Sequence, residues 1–517
     1  MTEIGYPLFS EEEGRKSLIA RINHLLFADD AVLFANSPEG LATQVRLLVQ
    51  AFKTCGLTLN PKKSMCFGIS TPGRKLKNIV VVSKSKLKIE IDGVPVPVMG
   101  PSDSYKYLGV KIGPYGVLHG QPEEKLQTKL DRLLASALRP QQKLIVIRRI
   151  VIPSMLYVCT LGDVNKGRLH GLDITLRKAV KKILHLPQDV PSAAFHAEVR
   201  YGGLGLRSLE YAIPIHRSRR LARLCSSPGT IWRSLMEQDH VRKWVDAWTR
   251  TYKFDGIDVL TLDDIKEMFR GQLHKMVDGD GLRAHCRGRQ FDQWLTSPVI
   301  KMGGREFIRA VHARLGCLNT PSRASRGRGN PPSQKLCWRD RKPASLNHIS
   351  QCCESTHGLR VERHNDVVKM IQQSVAKQGL VTLREPRLPV GNNKFLVPDL
   401  VILSKDKKKL FILDPIISSD FADLTQSEET KVRKYSFDQL KTSAVEAMSE
   451  RAEIAGKQLD VQVAGLAFNC RGAVAPATHV ILKSLCRRLC PYIILRILTR
   501  TAGIVETYRR TIHVNRR

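Results

Sequence analysis

Two adjacent carboxylates, Asp29 and Asp30, stand between two apolar runs, Leu25–Ala28 and Ala31–Phe34. The runs have the length of β-strands, and the acid pair lies where a hairpin between them would turn. A tight turn would expose both carboxylates while the strands hold them in place, and such oxygen ligands suit hard divalent cations. Taken alone, the pair favours a solvated turn of an ordinary β protein, so its interpretation depends on the surrounding elements.

A second pair of acids, Asp399 and Asp414, lies near the other end of the chain. Each acid adjoins a strand-length apolar run, and a lysine-rich turn between the runs predicts a hairpin with one carboxylate on each strand. Lys431 and Lys434 follow in a predicted helix. Two acids and a lysine are the recurring parts of restriction-type phosphodiesterases, in which the acids hold Mg²⁺ and the lysine stabilises developing charge. The alternative is a β-hairpin with two ordinary acids.

The composition points to an anionic partner. The chain has 517 residues, with 83 Lys and Arg against 48 Asp and Glu, a formal net charge of +35. An excess of this size makes nucleic acid the first candidate partner, and the length suggests two to four domains.

We find no apolar run of the ~18–20 residues that a membrane helix needs and no signal peptide. The twelve cysteines fit a reduced cytosolic or nuclear protein better than a disulfide scaffold.

The elements that follow the first acid pair indicate what kind of site it belongs to. A capped helix is predicted for residues 37–55, followed by Gly56–Ser64, which reads Gly-Leu-x-Leu-Asn-x-x-Lys-Ser, and by a Tyr-Leu-Gly strand within Tyr105–Ile112. This order resembles the second half of a reverse-transcriptase palm. The resemblance implies that Asp29 and Asp30 bind Mg²⁺ at the primer end and the incoming nucleotide triphosphate.

In such a palm a further metal-binding Asp comes from an earlier strand. Residues 1–24 contain no apolar strand that carries an Asp. Two-metal phosphoryl transfer needs carboxylates on both sides of the ion pair. We therefore expect a half-site, as in the C-terminal portion of a longer polyprotein or a truncated copy, and no polymerisation by this chain alone.

Helical patterns and basic residues follow the palm-like segment. Residues 122–213 read as helices, with a break at Pro140 and a second helix that runs towards Pro153. A third helix, near Leu169–Leu184, mixes apolar and basic residues. Its charge is either a solvated face or, as we favour for a thumb behind a palm, a track for a nucleic-acid backbone. The candidate nucleic-acid contacts are Lys62, Lys63, Arg177 and Lys181, with Arg323, Arg326 and Arg328 in a flexible loop.

The resemblance narrows to site-specific non-LTR retrotransposon polyproteins of the class that inserts into ribosomal DNA. It is carried by the motifs Arg139–Lys143, Gly171–Asp173, Leu186–Pro191, Phe195–Ala197 and Gly202–Gly205. In that family a reverse transcriptase is followed by a thumb, a linker, a zinc knuckle and a restriction-like endonuclease. The predicted domains are a partial palm (1–115), a helical thumb (116–213), a helical linker (214–330), a knuckle-like segment (331–365) and an endonuclease domain (366–517). We expect the linker tryptophans Trp232, Trp244, Trp248 and Trp294 to be core residues.

The knuckle departs from the family pattern Cys-x2-Cys-x7-His-x4-Cys. Cys337, His348 and Cys353 match it, but Asp340 stands at the second cysteine position. Zinc accepts Asp oxygen, although structural sites prefer Cys and His. Cys352 could substitute only with a backbone adjustment. Either zinc binds with Asp340 as a ligand, or the knuckle is degenerate.

The same resemblance assigns roles in the nuclease. It implies that Asp399 and Asp414 are Mg²⁺ ligands and that Lys431 is the catalytic lysine, with Lys434 as its rival and Glu385 and His364 as supporting residues. The family usually has Asp-Val where this chain has Asp414-Pro415. Because proline cannot donate to a sheet ladder, Pro415 is expected to end the strand or to lie at an edge.

We therefore predict an α+β multidomain protein. Its expected function is that of the C-terminal part of a retrotransposon RNA-directed DNA polymerase and endonuclease, which nicks target DNA and reverse-transcribes element RNA from the nick. The expected partners are DNA, template RNA and deoxynucleoside triphosphates, without a membrane, and the expected location is the nucleus, after synthesis in the cytoplasm. The alternatives are a non-catalytic nucleic-acid-binding remnant and a host maturase-like protein, which the nuclease residues disfavour.

Overall fold

The structure is a computed structural model that forms two compact units. One unit comprises Met1–Lys129, Ile150–Thr175 and Ser208–Ile265, and the other Leu130–Arg149, Leu176–Arg207 and Lys266–Arg517. The residues it describes are 5–12, 15–70, 80–81, 86–117, 121–162, 164–226, 232, 235–236, 238–251, 253–254, 256–283, 289–326, 335–391, 393–453 and 459–515.

Helices occur along the whole described chain. The α-helices are α1 Pro38–Thr54, α2 Pro122–Ala135, α3 Pro140–Val146, α4 Ile152–Leu161, α5 Lys166–Leu184, α6 Ser192–His196, α7 Leu209–Cys225, α8 Asp239–Thr249, α9 Leu262–Lys275, α10 Gln293–Thr296, α11 Gly304–Arg314, α12 Pro321–Ala324, α13 His357–Ala376, α14 Leu424–Tyr435, α15 Asp438–Ala452, α16 Pro476–Cys486 and α17 Cys490–Asn515. Short 3₁₀ or π turns lie at Pro61–Lys63, Ile147–Val151, Val199–Tyr201, Asp280–Leu282, Arg289–Asp292, His348–Cys352, Glu354–Thr356 and Arg487–Leu489.

The strands form small sheets in the first unit, and a four-stranded sheet and a two-stranded ladder in the second. They are β1 Tyr6–Glu12, β2 Arg15–Ile22, β3 His24–Phe27, β4 Asp30–Leu33, β5 Ile69–Ser70, β6 Val80–Val81, β7 Glu90–Ile91, β8 Val94–Pro95, β9 Tyr105–Tyr107, β10 Val110–Gly113, β11 Gly116–Val117, β12 Lys253–Phe254, β13 Ile257–Asp258, β14 Thr382–Arg384, β15 Leu388–Pro389, β16 Phe395–Leu396, β17 Leu400–Leu403, β18 Lys409–Ser418 and β19 Asp460–Asn469.

The helix predicted after the first acid pair is confirmed as α1. Its N-terminus is capped by Ser37, whose hydroxyl accepts a hydrogen bond from the Gly40 N–H at 3.1 Å, and Pro38 pre-sets the first turn. The helix packs on the small apolar core of the first unit, which contains Val45, Cys66, Leu87, Ile89, Ile91 and Val96. The local signals for this helix were therefore sufficient, because capping and periodicity act within a few residues.

The sequence Asp92-Gly93 predicts a hairpin turn, and the turn forms in the structure. It joins β7 to β8, and both residues take positive φ values, 51° and 76°, as a two-residue hairpin turn requires. The sequence Leu87–Ile91 predicts a strand, and the structure has only Glu90 and Ile91 in a ladder. Leu87 and Ile89 are buried in the core, and the Ile89 carbonyl accepts from the Val96 N–H at 2.8 Å.

The helical stretch Pro140–Leu161 continues past the point where Pro153 was expected to end it. A π turn at Ile147–Val151 widens the backbone just before Pro153, which lies in the first turn of α4, where proline is tolerated. Contrary to the count of apolar runs in the sequence, this stretch is long and apolar enough to cross a membrane. Helices of protein cores meet the same test, and the expectation of no membrane partner stays a prediction.

The larger sheet of the second unit carries the second acid pair. Its strand order is β14-β17-β18-β19, with β14, β17 and β18 antiparallel and β19 parallel to β18. The parallel step is made through α14 and α15, as a parallel pair needs a crossover connection. One side of the sheet packs on a core of Val401, Leu403, Leu410, Ile412, Tyr435, Leu440, Ala444 and Met448.

Pro415 does not end its strand. It lies within β18 and is in register with Leu466 of β19. On the other side of β18, pairing with β17 stops at the Leu400–Leu413 pair. At Pro415, β18 is therefore paired on one side only. This is the edge position, the second of the two alternatives expected for this proline.

Candidate active sites and metal-binding cluster

The first acid pair lies on a hairpin, as predicted. In the β3–β4 register Phe27 is opposite Asp30, so that Ala28 and Asp29 form the two-residue turn. Ala28 has a φ of 53°, an unusual conformation for a residue with a Cβ that a tight hairpin turn imposes. Asp29 is exposed and Asp30 is half-buried. Both carboxylates are thus held at the tip of a short ladder.

The apolar side chains of strand β3 are largely exposed among the described residues. Leu25, Leu26 and Phe27 are 48%, 57% and 63% exposed. In the same unit, Lys62 and Lys63 form the exposed 3₁₀ turn that follows Asn60, whose carboxamide oxygen accepts from the Lys63 N–H at 3.3 Å. Their proposed contact with nucleic acid stays a prediction.

The second acid pair converges with residues from two helices. Asp414 lies in β18 and is 4% exposed, and Lys431 of α14 places its Nζ 2.6 Å from Asp414 Oδ1. Asp399 directly precedes β17, and His364 of α13 places its Nε2 3.2 Å from Asp399 Oδ2. The structure therefore brings Asp399, Asp414, Lys431 and His364 to one region of the sheet.

Tyr435 joins the two acids and was missed as a site residue. It is 1% exposed, and its hydroxyl donates to the Val397 carbonyl at 3.2 Å. Burial raises the pKa of this phenol, and so do a hydrogen bond with Asp414 and the negative charges of Asp414 and Asp399. Its spacing four residues after Lys431 was the available signal, because residues i and i+4 share a helix face.

Gly465 sets how closely α14 approaches the sheet. It is in register with Asp414 on the neighbouring strand. A Cβ at Gly465 would lie 2.7 Å from the Glu428 carbonyl oxygen and 2.8 Å from Lys431 Cβ, both too close for real contacts. The glycine thus allows the helix backbone to lie directly on β19, which brings Lys431 within reach of Asp414.

The two lysine candidates differ in placement. Lys434 is exposed, with its Nζ 4.7 Å from the centre of the Tyr435 ring, whereas Lys431 contacts an acid. Glu385 is linked to the site through its backbone: its N–H donates to the Asp399 carbonyl at 3.0 Å. Its carboxylate instead pairs with Arg384 at 3.1 Å.

The knuckle residues form a compact cluster. The ligand atoms of Cys337, His348 and Cys353 all lie within 4.8 Å of one another, and all three residues are buried. The two sulfurs are 3.7 Å apart, and Asp340 Oδ1 is 3.3 Å from His348 Nε2. Cys352 is exposed and lies outside the group. The converging group comprises Cys337, His348 and Cys353, and Asp340 is a candidate for a fourth donor through its contact with His348.

The chemistry of this donor set fits a zinc ion. Burial lowers the pKa of His348 and so favours the neutral imidazole that a metal needs. Burial alone would raise the pKa of Asp340, but hydrogen bonds from Cys337 and from the Lys342 N–H, together with the charge of His348, lower it. Burial raises the pKa of the Cys353 thiol, so metal binding would have to displace that proton. The two sulfurs, the imidazole and the carboxylate could hold a metal, and the cluster itself identifies no specific ion.

Two of the predicted nucleic-acid contacts, Arg177 and Lys181, are close to polar groups of the protein itself. Arg177 places its guanidinium 3.1 Å from His196 Nε2, and Lys181 donates to the Gln188 carbonyl at 2.6 Å. Burial, together with the charge of Arg177, lowers the pKa of Lys181. These side chains are therefore engaged within their own unit, and their contact with nucleic acid stays a prediction.

The loop arginines have a structural environment that the sequence did not indicate. The Arg323 side chain is 7% exposed and pairs with Asp278 and Asp189, and Arg326 also pairs with Asp278, at 2.8 Å. Asp278 and Asp189 are distant in sequence, so their approach depends on tertiary packing. The expected phosphate contact is not available to Arg323 in this arrangement, because its guanidinium is buried against two carboxylates. Arg328 lies outside the described residues.

Comparison with known proteins identifies a matching family and several similar polyproteins. Residues 7–112 match the family of reverse transcriptases (RNA-dependent DNA polymerases). The chain is 30% identical over 467 residues to the Pol polyprotein of a type-2 retrotransposable element R2DM from Drosophila melanogaster, and 28% identical over 468 residues to that of a type-1 element R2 from Nasonia vitripennis. These matches cover 89% and 90% of this chain but 42% and 43% of the relatives. A further R2 polyprotein, from Popillia japonica, is 29% identical over 74% of this chain and 77% of its own length.

Proposed function

The chain is homologous to the polyproteins of non-LTR retrotransposons of the R2 type, and from this we propose that it combines a metal-dependent DNA endonuclease with part of an RNA-directed DNA polymerase. The observation that supports the nuclease assignment is the contact of Lys431 with the buried Asp414, beside Asp399, on a four-stranded sheet. The chain spans about two fifths of the first two relatives.

The proposed nuclease residues have different roles in phosphodiester hydrolysis. Asp399 and Asp414 would hold Mg²⁺, which supplies a water-derived nucleophile and neutralises the phosphate. Lys431 donates its N–H groups to a phosphate oxygen, where negative charge grows in the transition state. Tyr435 packs beside Asp414, with its hydroxyl fixed by the Val397 carbonyl. His364 would orient Asp399 through Nε2.

A nicking assay tests this proposal. Supercoiled plasmid DNA is incubated with the full chain and Mg²⁺, and the open-circular product is measured over time. We expect nicking by the wild type and its loss in Asp414→Asn. Glu450→Gln serves as the control, because Glu450 is an exposed carboxylate on α15. Equal nicking by the Asp414→Asn and wild-type proteins would remove Asp414 from the mechanism.

The polymerase assignment rests on the palm-like hairpin. Asp29 and Asp30 are proposed as Mg²⁺ ligands at the primer 3′ end, and Lys62 and Lys63 as contacts of the triphosphate or backbone. Two carboxylates on one hairpin are fewer than two-metal transfer needs. We therefore expect no primer extension on an RNA template by these 517 residues, and robust extension would contradict the half-site.

A non-catalytic nucleic-acid-binding protein is the second candidate. It is favoured by Asp340 at a cysteine position and by Pro415 next to Asp414, because both depart from the family pattern. Salt-sensitive binding to DNA and RNA is expected for both candidates at a net charge of +35. Only cleavage that depends on Mg²⁺ separates them.

The remaining parts of the proposal follow from the family. We propose zinc for the Cys337, Asp340, His348 and Cys353 cluster, the domain bounds given above for palm, thumb, linker, knuckle and endonuclease, and action in the nucleus on chromosomal DNA. Stoichiometric zinc in the purified protein would support the cluster assignment. Its absence from protein purified with added zinc would favour a degenerate knuckle.

A further inference from the structure

A pair of stacked tryptophans lies on α8 in the first unit. The rings of Trp244 and Trp248 have centroids 5.2 Å apart and an interplanar angle of 15°. Their spacing of four residues places both on one helix face. Trp244 is 51% exposed, so that the sequence-based expectation of a core residue is wrong at this position.

The inner ring of the pair is held rigidly. Arg217, which is 4% exposed, has its guanidinium 5.2 Å from the centre of the Trp248 ring. The same guanidinium donates to the carbonyls of Cys159 at 2.8 Å and Gly162 at 2.7 Å. The Trp248 indole N–H is 3.5 Å from the Gly162 carbonyl oxygen. The stack is therefore fixed at its base, while its outer member faces solvent.

A cavity of about 210 Å³ adjoins the stack. It is lined by Val164, Asn165, Lys166, Arg217, Trp244, Ala247, Trp248 and Arg250. Three of these lining residues are cationic and none is acidic, so the site is suited to a ligand that combines a flat ring with negative charge. Asn165 adds an amide that can both donate and accept hydrogen bonds.

We propose that the Trp244–Trp248 stack binds an unpaired nucleobase of single-stranded nucleic acid, with Lys166 and Arg250 near its phosphates. Every base has a π-face that can stack on an aromatic ring, and a neighbouring cation adds attraction to the backbone. A paired base in a duplex has both faces covered and cannot enter. The inference takes its ligand class, nucleic acid, from the proposed function, but it does not depend on the nuclease residues.

The test compares two substitutions of the exposed ring. Trp244→Leu removes the aromatic face but keeps an apolar side chain, whereas Trp244→Phe keeps a smaller ring. Binding is measured by fluorescence anisotropy with labelled six-nucleotide RNA and DNA single strands and with a duplex. Salt is raised until contacts that depend on charge alone are weak.

Wild-type protein is expected to bind the single strands more tightly than Trp244→Leu by about fivefold or more, with Trp244→Phe in between. Binding of the duplex should be the same for all three proteins. Single strands should also quench the tryptophan emission of the wild type more than that of Trp244→Leu. Equal single-strand affinities with unchanged quenching would overturn the proposal, and a preference for RNA or DNA would identify which strand occupies the site.

Failure of this inference can be told apart from failure of the nuclease proposal. The two proposals have separate readouts, since nicking is measured on duplex plasmid and the stack by single-strand affinity. If the nuclease proposal fails while Trp244→Leu still loses single-strand affinity, the stack remains a binding site. A circular dichroism spectrum and an unfolding midpoint equal to those of the wild type exclude loss of folding as the cause.

Discussion

Lys431 Nζ lies 2.6 Å from Asp414 Oδ1, and the acid is nearly inaccessible to solvent. A buried carboxylate is stable as an anion only when it is paired, and the lysine supplies that partner. The two residues belong to different elements, so their contact depends on the crossover from β18 through α14.

Lys431→Ala is expected to lower the nicking rate by about 10²–10³-fold, because a donor aimed at developing charge is lost. Lys434→Ala is the matched control, because it removes an exposed lysine of the same helix whose Nζ lies over the Tyr435 ring. The measurement is the initial rate of plasmid nicking at saturating Mg²⁺. A larger loss in Lys434→Ala than in Lys431→Ala would reverse the assignment of the two lysines.

Gly465→Ala is expected to reduce nicking by roughly 10- to 100-fold, since a displacement of a positioning element has effects of that size. The new Cβ would meet backbone and side-chain atoms of α14 within 3 Å, which forces Lys431 away from Asp414. Gly503→Ala provides the control, because a Cβ there has nothing within 4 Å. Initial nicking rates compare the two variants, and unchanged nicking in Gly465→Ala would show that the close approach of α14 is not required.

Asp340→Cys is expected to strengthen zinc binding by more than about tenfold, or 1.4 kcal/mol, because structural zinc sites prefer thiolate ligands. Competition with a coloured chelator measures the affinity. Cys352→Ser is the control and should leave it unchanged, since Cys352 lies outside the cluster. If Cys352→Ser weakened binding as much as Asp340→Ala, the fourth ligand would have to be reassigned.

Arg323→Ala is expected to destabilise the second unit by about 1.5–3 kcal/mol, because it removes a buried guanidinium that pairs with Asp278 and Asp189, although Asp278 keeps Arg326 as a partner. Arg326→Ala, which removes a side chain 44% exposed, should cost much less. Thermal unfolding of the three proteins gives the comparison. A variant Arg323→Ala that unfolds like the wild type but binds DNA more weakly would return Arg323 to the nucleic-acid contacts.

Local sequence patterns were enough to predict the short-range parts of this protein. The Asp29-Asp30 hairpin, the capped helix α1 and the Asp92-Gly93 turn were predicted and are present, because turn chemistry, capping and periodicity act over a few residues. The spacing of Cys337, His348 and Cys353 likewise predicted a cluster that the structure brings together. The similarity to retrotransposon polyproteins also came from the order of such local motifs.

Which side chains meet depends on the tertiary structure. It placed Lys431 rather than Lys434 on Asp414, added Tyr435 and Gly465 to the site, and buried Arg323 against Asp278. It also left Trp244 in solvent, although its helical spacing had suggested a core position. These outcomes depend on contacts between residues tens or hundreds of positions apart, and the energy of such contacts is set by packing and desolvation that no local pattern encodes.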